Sequence, residues 1–476
     1  MKKIIALIIA IAIVISAVLI FAFCEKKDTP TEPPIEYMNQ PTINGVALGE
    51  FSIVYDEQGL DYNKRAAEYI KNTAQARYGL DLAIVDDDSA SNAHEIVVGE
   101  TSRAISASLN EETSGLEFSI LADGGSVALE GDYFVIAAAA YYFMETYALT
   151  DGQISSVSET AEVHEPITKE AKNFIMLIGD GMGVYQTLMF DYMKNDVEYS
   201  DGEDLFYGYM LPYMGYSRTN SLEAPSYITD SAAGGTALSC GYKTFNGYVG
   251  LNRGRKPIKN MTELANELGM SAAVMSTEAY TGATPASFLV HVGSRHNETD
   301  IIKEVFAARE QYGTIVECDF DYYTTKYMGV IENKVTDVIG KVSANENGFF
   351  LMYEEAYIDK HCHNNEIDKV FNAVIRFNQV IARIMEFSFY NPETFVLITA
   401  DHETGKLMPD ENGILEFNDD DHSGADVLIF AYGQGAELFN GVNIENIQIA
   451  HTVAALMGDE NFGDQSEYQS LTKGNK

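Results

Sequence analysis

From Asn173 onward, short apolar runs of strand length alternate with longer amphipathic stretches, and this alternation restricts the fold more than any other feature of the chain. The runs Asn173–Ile178, Ala272–Met275, Phe349–Met352, Phe395–Thr399 and Val427–Ala431 are nearly all apolar, as strands buried on both faces are. Segments of helical spacing, including Lys259–Leu268 and Asp368–Phe387, lie between them. The prediction is an α/β fold over residues 170–476: a largely parallel, doubly wound sheet with helices on both faces. Ligands of such sheets collect beyond the carboxyl ends of the strands.

Residues 43–160 read as a smaller α/β module. Phe51–Tyr55 is a strand, Asp61–Tyr78 a helix with Ala66, Tyr69, Ile70 and Ala74 on one face, and Leu82–Val85 and Glu95–Val98 are strands. Phe118–Leu121 and Val127–Glu130 form a hairpin, and Ala-rich Phe134–Tyr147 a closing helix. This pattern resembles the accessory α/β domain that precedes catalytic domains in some bacterial glycoside hydrolases. It holds no catalytic cluster; Asp86–Asp88 reads as a solvated turn. A polar stretch, Ser155–Lys172, separates it from the second domain.

Residues 1–24 are a membrane-targeting segment. Lys2 and Lys3 precede an apolar run from Ile4 to Phe23 that would span roughly 30 Å as a helix, enough to cross a bilayer core. The lysines orient inward, so the body is expected to be extracytoplasmic. Cys24 ends the run where a bacterial lipoprotein would be cleaved and acylated, and an uncleaved helix is the other anchor. Residues 25–42, rich in Pro, Thr, Asp and Glu, make a linker. Cys240, Cys318 and Cys362 are odd in number, so no complete disulfide framework is expected.

With 71 acidic against 31 basic residues the net charge is −40, which argues against nucleic-acid binding and repels an anionic substrate. A phosphate ester could be held only where positive charge is concentrated locally, and bound metal ions are the compact way to supply it.

Six clusters, five read at strand ends and one at the start of a helix, carry groups of that kind. Asp180, within Gly179-Asp180-Gly181-Met182-Gly183, follows the first strand. Ser231, in Thr229-Asp230-Ser231-Ala232-Ala233-Gly234-Gly235-Thr236-Ala237, opens a helix whose free amides and dipole favour an anion. Thr284-Pro285-Ala286 is read at a strand end, with Arg295 beyond it as a fork for two phosphoryl oxygens and His291 as structural. In Glu354-Glu355-Ala356-Tyr357-Ile358-Asp359-Lys360-His361-Cys362-His363, one helical turn puts Asp359 and His363 on one face as a chelate, and His361 competes if the backbone is extended. Asp401 and His402 end another strand, and His422-Ser423-Gly424-Ala425-Asp426 introduces the last core strand. His with Asp suits zinc, whereas Asp, Glu and Thr oxygens suit magnesium.

In order and spacing these motifs resemble the alkaline phosphatases, from Asn173 to the C-terminus. The resemblance implies a first zinc held by Asp359, His363 and His422, so that register selects His363 over His361. It implies a second zinc held by Asp180, Asp401 and His402 with Ser231, and a magnesium held by Asp180, Thr284 and Glu354. The activity implied is hydrolysis of phosphate monoesters through a phosphoserine on Ser231, with Arg295 binding phosphate and Lys360 reaching it through water. A homodimer is compatible with the family. The sequence departs from the pattern at Gly282, where many relatives carry Asp or His two residues before the Thr of the third site, and at Glu355, where a small residue is common. Rival readings are a phosphodiesterase or sulfatase of the same superfamily, for which Ser231 with Arg295 is the wrong pairing, and a non-catalytic glycan-binding surface protein.

Overall fold

The computed structural model describes residues 37–109, 115–123, 125–149, 152–154, 159–162, 170–193, 205–319 and 329–474. The targeting segment and most of the linker lie outside them. Among the described residues no helix is long and apolar enough to cross a membrane.

Two sheets organise the chain. The smaller has six strands, β1 Ser52–Tyr55, β2 Ile84–Asp86, β3 Glu95–Val98, β4 Glu117–Asp123, β5 Ser126–Gly131 and β6 Glu159–Glu162, in the order β2-β1-β3-β5-β4-β6. Helix α1, Asp61–Tyr78, packs on it and ends at Gly79, whose φ of +70° gives the left-handed cap that returns its N–H to Ala74 and Gln75. The expected closing helix is three pieces: a tight turn at Tyr133–Val135, α2 at Ile136–Tyr142, and a widened turn at Phe143–Tyr147. The polar stretch after it contributes β6, which pairs with β4.

The larger sheet has β7 Asn173–Gly179, β8 Tyr213–Arg218, β9 Ser271–Ser276, β10 Ile315–Cys318, β11 Phe349–Glu355, β12 Thr394–Thr399, β13 Val427–Tyr432 and β14 Asn443–Glu445. Its order is β10-β9-β11-β7-β12-β13-β8-β14. The first five are mutually parallel, and β13 alone runs against its neighbours on both sides. Every residue of β7, β11 and β12 is buried, which is why these strands read as unbroken apolar runs.

One hydrophobic core joins the two sheets, and the 24-residue helix Ile367–Tyr390 lies between them. Tyr69 stacks on Tyr390 with centroids 4.0 Å apart, Phe134 meets Phe389, and Arg65 Nε pairs with Glu386 at 2.9 Å. Beside this junction a cavity of about 540 Å³ is lined by Asp56, Asn63, Glu100, Glu130 and Asp132, with Leu205 from the larger body. Burial, and then Glu100, push the Glu130 carboxyl up to about 7. The folded chain therefore keeps a proton there that the unfolded chain releases, so this contribution to stability is full below the ordinary carboxyl pKa and is lost as pH rises through about 7. Glu130→Gln should stabilise the protein at pH 8 by on the order of 2 kcal/mol, a value discounted for partial solvent access, and by nearly nothing near pH 4.5. Urea denaturation of both proteins across that range checks this; a pH-independent difference would rule out the titration.

Candidate active site

Because β7, β9, β11 and β12 are parallel neighbours, their carboxyl ends open on one edge of the sheet. Asp180 leaves β7, Glu354 is the penultimate residue of β11, and Asp401 follows β12, so residues more than two hundred positions apart meet there. Gly181, at φ +73°, lets the chain turn between them; a Cβ on it would stand 2.9 Å from the Cα of Asp359.

Ser231 is the first residue of helix α3, Ser231–Cys240. Asp230 caps that helix, its Oδ1 accepting from Ala233 N at 2.9 Å, and all ten helical residues are buried. The small residues have the expected use: a Cβ at Gly234 would lie 3.0 Å from the Asp401 carbonyl oxygen. Ser231 Oγ is thereby set 3.2 Å from His402 Nε2.

His402 Nε2 also lies 3.4 Å from Asp180 Oδ1 and 3.3 Å from Asp401 Oδ2. A second group stands beside it, with Asp359 Oδ1 3.4 Å from His363 Nε2 and 3.5 Å from His422 Nε2, and the two imidazole nitrogens 3.1 Å apart. Four donors around a zinc ion at bonds of about 2.0–2.1 Å would stand about 3.3 Å from one another, so the Asp359, His363 and His422 group has the spacing of one face of such a tetrahedron and the separations about His402 match two of its edges. The groups are adjacent, since donors of Asp359, His402 and His422 lie within 4.8 Å of one another and the His402 and His422 rings stack at 3.7 Å.

Each imidazole is turned by its other nitrogen. His422 Nδ1 meets the Thr229 carbonyl at 2.8 Å, His363 Nδ1 the Asp420 carbonyl at 2.6 Å, and His402 Nδ1 the Thr404 hydroxyl at 3.2 Å. Thr404 Oγ1 also donates to Asp359 Oδ1 at 2.6 Å. The short helix Tyr357–Cys362 puts Asp359 and His363 on one face, and His361 turns away to Glu366 at 3.0 Å. His291 is structural, holding Gly250 O at 2.9 Å and Glu263 Oε1 at 3.0 Å.

Among the described residues, Asp180 Oδ1, Asp401 Oδ2, Thr284 Oγ1 and Glu354 Oε1 are buried without a hydrogen-bond partner. Burial, then Asp401, Asp359, Glu354 and Glu278, push the Asp180 carboxyl well above the ordinary range, and burial with Asp359 pushes Asp401 up to about 7. Burial, then His422, drive His402 well below the usual imidazole range. Crowded carboxylates, orphaned oxygens and an imidazole kept neutral are what a site for divalent cations presents.

Thr284 differs from its expected setting: it lies in a short helix, Ala283–Ser287, and not at a strand end. His422 begins a two-residue strand paired with Glu403–Thr404, ahead of β13, and β14 is the last strand of the sheet. Arg295 Nη1 donates to Asp230 Oδ2 at 3.1 Å, and Lys360 Nζ pairs with Glu278. Asp230, Thr404 and Asp421, whose carboxylate lies within 4.8 Å of donors on His363 and His422, are groups that sequence reading passed over. Asp230 stands in the Ser231 motif as a helix cap does, and no motif marks Thr404.

The alkaline phosphatase family model matches residues 171–326 and 324–414, about half the chain. The chain belongs to the alkaline phosphatase family. Alkaline phosphatase 4 of Bacillus subtilis is 28% identical over 308 residues, 54% of this chain and 66% of its own length. Alkaline phosphatase 3 of the same organism is 28% identical over 296 residues, 52% and 64% respectively, so the chain spans just under two thirds of either. The alkaline phosphatase of the Antarctic bacterium TAB5 superposes with a TM-score of 0.53 at 24% identity, over 61% of this chain and 98% of that one, a likeness of fold. A variant of it with a histidine replaced by glutamate, with Mg bound in the M3 site, gives 0.52 at 25% identity, over 61% and 99%.

Proposed function

We propose that the chain hydrolyses phosphate monoesters through a phosphoserine on Ser231. The observation that carries this is the buried Ser231 hydroxyl, 3.2 Å from His402 Nε2, at the first turn of α3 and on the rim of the donor groups. Asp359, His363 and His422 would hold one zinc ion, and Asp180, Asp401 and His402 a second that Ser231 joins, since mixed nitrogen and oxygen donors suit zinc. Asp180, Thr284 and Glu354 offer oxygen alone, the set magnesium takes, and the magnesium of the TAB5 variant supports that reading. Bound cations would supply the local positive charge an anionic ester needs in a chain of net charge −40, and would lower the pKa of a coordinated hydroxyl.

The side chains do the rest. Free amides at the start of α3 favour the phosphoryl anion, and Arg295, steadied by Asp230, offers its fork to two non-bridging oxygens. Ser231 Oγ, its proton lost to solvent, bonds to phosphorus as the ester P–O bond opposite breaks, and the alcohol leaves with a proton from water. Water then attacks from the side the alcohol left, the P–Oγ bond breaks, Ser231 regains a proton, and ester plus water has become phosphate plus alcohol. The N-terminal charge pattern supports a body outside the cytoplasmic membrane, tethered through Cys24 or the uncleaved apolar run.

Arg295 provides the test of substrate class. A monoester presents more charged oxygen to the guanidinium than a diester, so Arg295→Ala should lower kcat/KM for a monoester by about 10- to 100-fold, and for a diester of the same leaving group by much less. Equal losses on both, or a wild-type preference for the diester, would sink the monoester assignment.

A further inference from the structure

Position 282 has no side chain, yet the space one would fill is occupied. A Cβ built on Gly282 would lie 1.8 Å from Oε1 and 2.1 Å from Cδ of Glu278, so the carboxyl group of Glu278 stands where a residue at 282 would begin its side chain. Position 282 is two residues before Thr284, whose hydroxyl is buried and without a hydrogen-bond partner among the described residues, as are Asp180 Oδ1 and Glu354 Oε1. The carboxylate of Glu278, from four residues upstream, thus takes the place of a side chain at position 282, two residues before Thr284.

The surrounding contacts fix Glu278 in that place. It follows β9 by two residues, and its N–H donates to Ser276 Oγ at 3.0 Å, while that hydroxyl donates to Glu354 Oε2. Its carbonyl accepts from Asp319 N at 2.7 Å. Its carboxylate pairs with Lys360, the residue after Asp359.

We propose that Glu278 supplies the carboxylate of the third cation site that position 282 lacks, with Lys360 holding it in position. The inference rests on the reading of Asp180, Thr284 and Glu354 as that site. An all-oxygen set of three carboxylates and a hydroxyl selects a hard dication, magnesium, which keeps part of its water shell and so tolerates a carboxylate arriving on a longer side chain from another turn of the backbone. Lys360 offsets one of the three negative charges, and the dication the other two. Lys360 is then a positioning residue for the third site, acting through Glu278.

The test measures metal content and Mg2+ affinity on the full-length protein after zinc loading, by elemental analysis and titration calorimetry. Glu278→Gln, close in shape to the native side chain, and Glu278→Ala should weaken Mg2+ binding about 10- to 100-fold while two zinc ions are retained. Gly282→Asp combined with Glu278→Ala should recover most of the loss, because the aspartate enters the vacated space. Gly282→Asp alone, facing Glu278, should lower the melting temperature without a gain in Mg2+ affinity. Mg2+ affinity within twofold of wild type in both Glu278 variants overturns the proposal and leaves the third site standing. A zinc-loaded wild type that takes up no Mg2+ removes the third site itself, and the proposal with it.

Discussion

Replacing Ser231 with alanine is expected to lower kcat for a phosphate monoester by about 10³-fold or more while leaving the fold and its zinc content unchanged. The separation of these effects follows from where the side chain sits. Ser231 is the first residue of α3, and the cap that stabilises the helix belongs to Asp230, so alanine at 231 removes no helical hydrogen bond. The clustered donors of Asp180, Asp401 and His402, 3.3–3.4 Å apart about His402 Nε2, do not need the hydroxyl to keep their places. What is lost is the oxygen proposed to bond to phosphorus. Acid quenching during turnover should trap phosphate on the wild-type protein and none on Ser231→Ala. A variant that keeps activity within tenfold, or still traps phosphate at the same level, would leave the proposed nucleophile without a role.

The parts of this molecule legible in the sequence are those whose position follows from strand direction alone. Asp180, Glu354 and Asp401 stand in or just after the buried parallel strands β7, β11 and β12, and parallel neighbours put their carboxyl ends on one edge whatever the loops do. A helical turn relating it to Asp359 made His363 a candidate beside His361, and only the register of the family resemblance chose between them. Glu278 was not legible, because its proposed role depends on the path of residues 277–282, which brings it onto Gly282 through contacts with Ser276, Asp319 and Lys360. β8 escaped for a different reason: Tyr213–Arg218 has a glycine, an arginine and alternating exposure, so it carries no apolar run, and its neighbours β13 and β14 lie far away in sequence. The same limit applied to Glu355, a departure from the family pattern with no visible consequence until its partners were in place.

Those partners make Glu355 the second large effect. The side chain is fully buried and turned away from the donor cluster, with Oε1 accepting from Arg376 Nη2 at 3.0 Å, Thr277 Oγ1 at 3.1 Å and Tyr357 N at 3.2 Å. It ties the end of β9 and the helix Ile367–Tyr390 to the start of the helix that presents Asp359 and His363. Glu355→Ala should destabilise the protein by about 3–5 kcal/mol, because the mostly buried Arg376 guanidinium loses this fully buried carboxylate. The double variant Glu355→Ala with Arg376→Met should cost clearly less than Glu355→Ala alone, since removing both charges removes the desolvation penalty along with the pair. Urea denaturation of the three proteins decides the matter. A double variant as unstable as the single one would mean that packing at Glu355 matters and the ion pair does not. A loss below 1 kcal/mol in Glu355→Ala would mean that water enters freely and the pair behaves as a surface one.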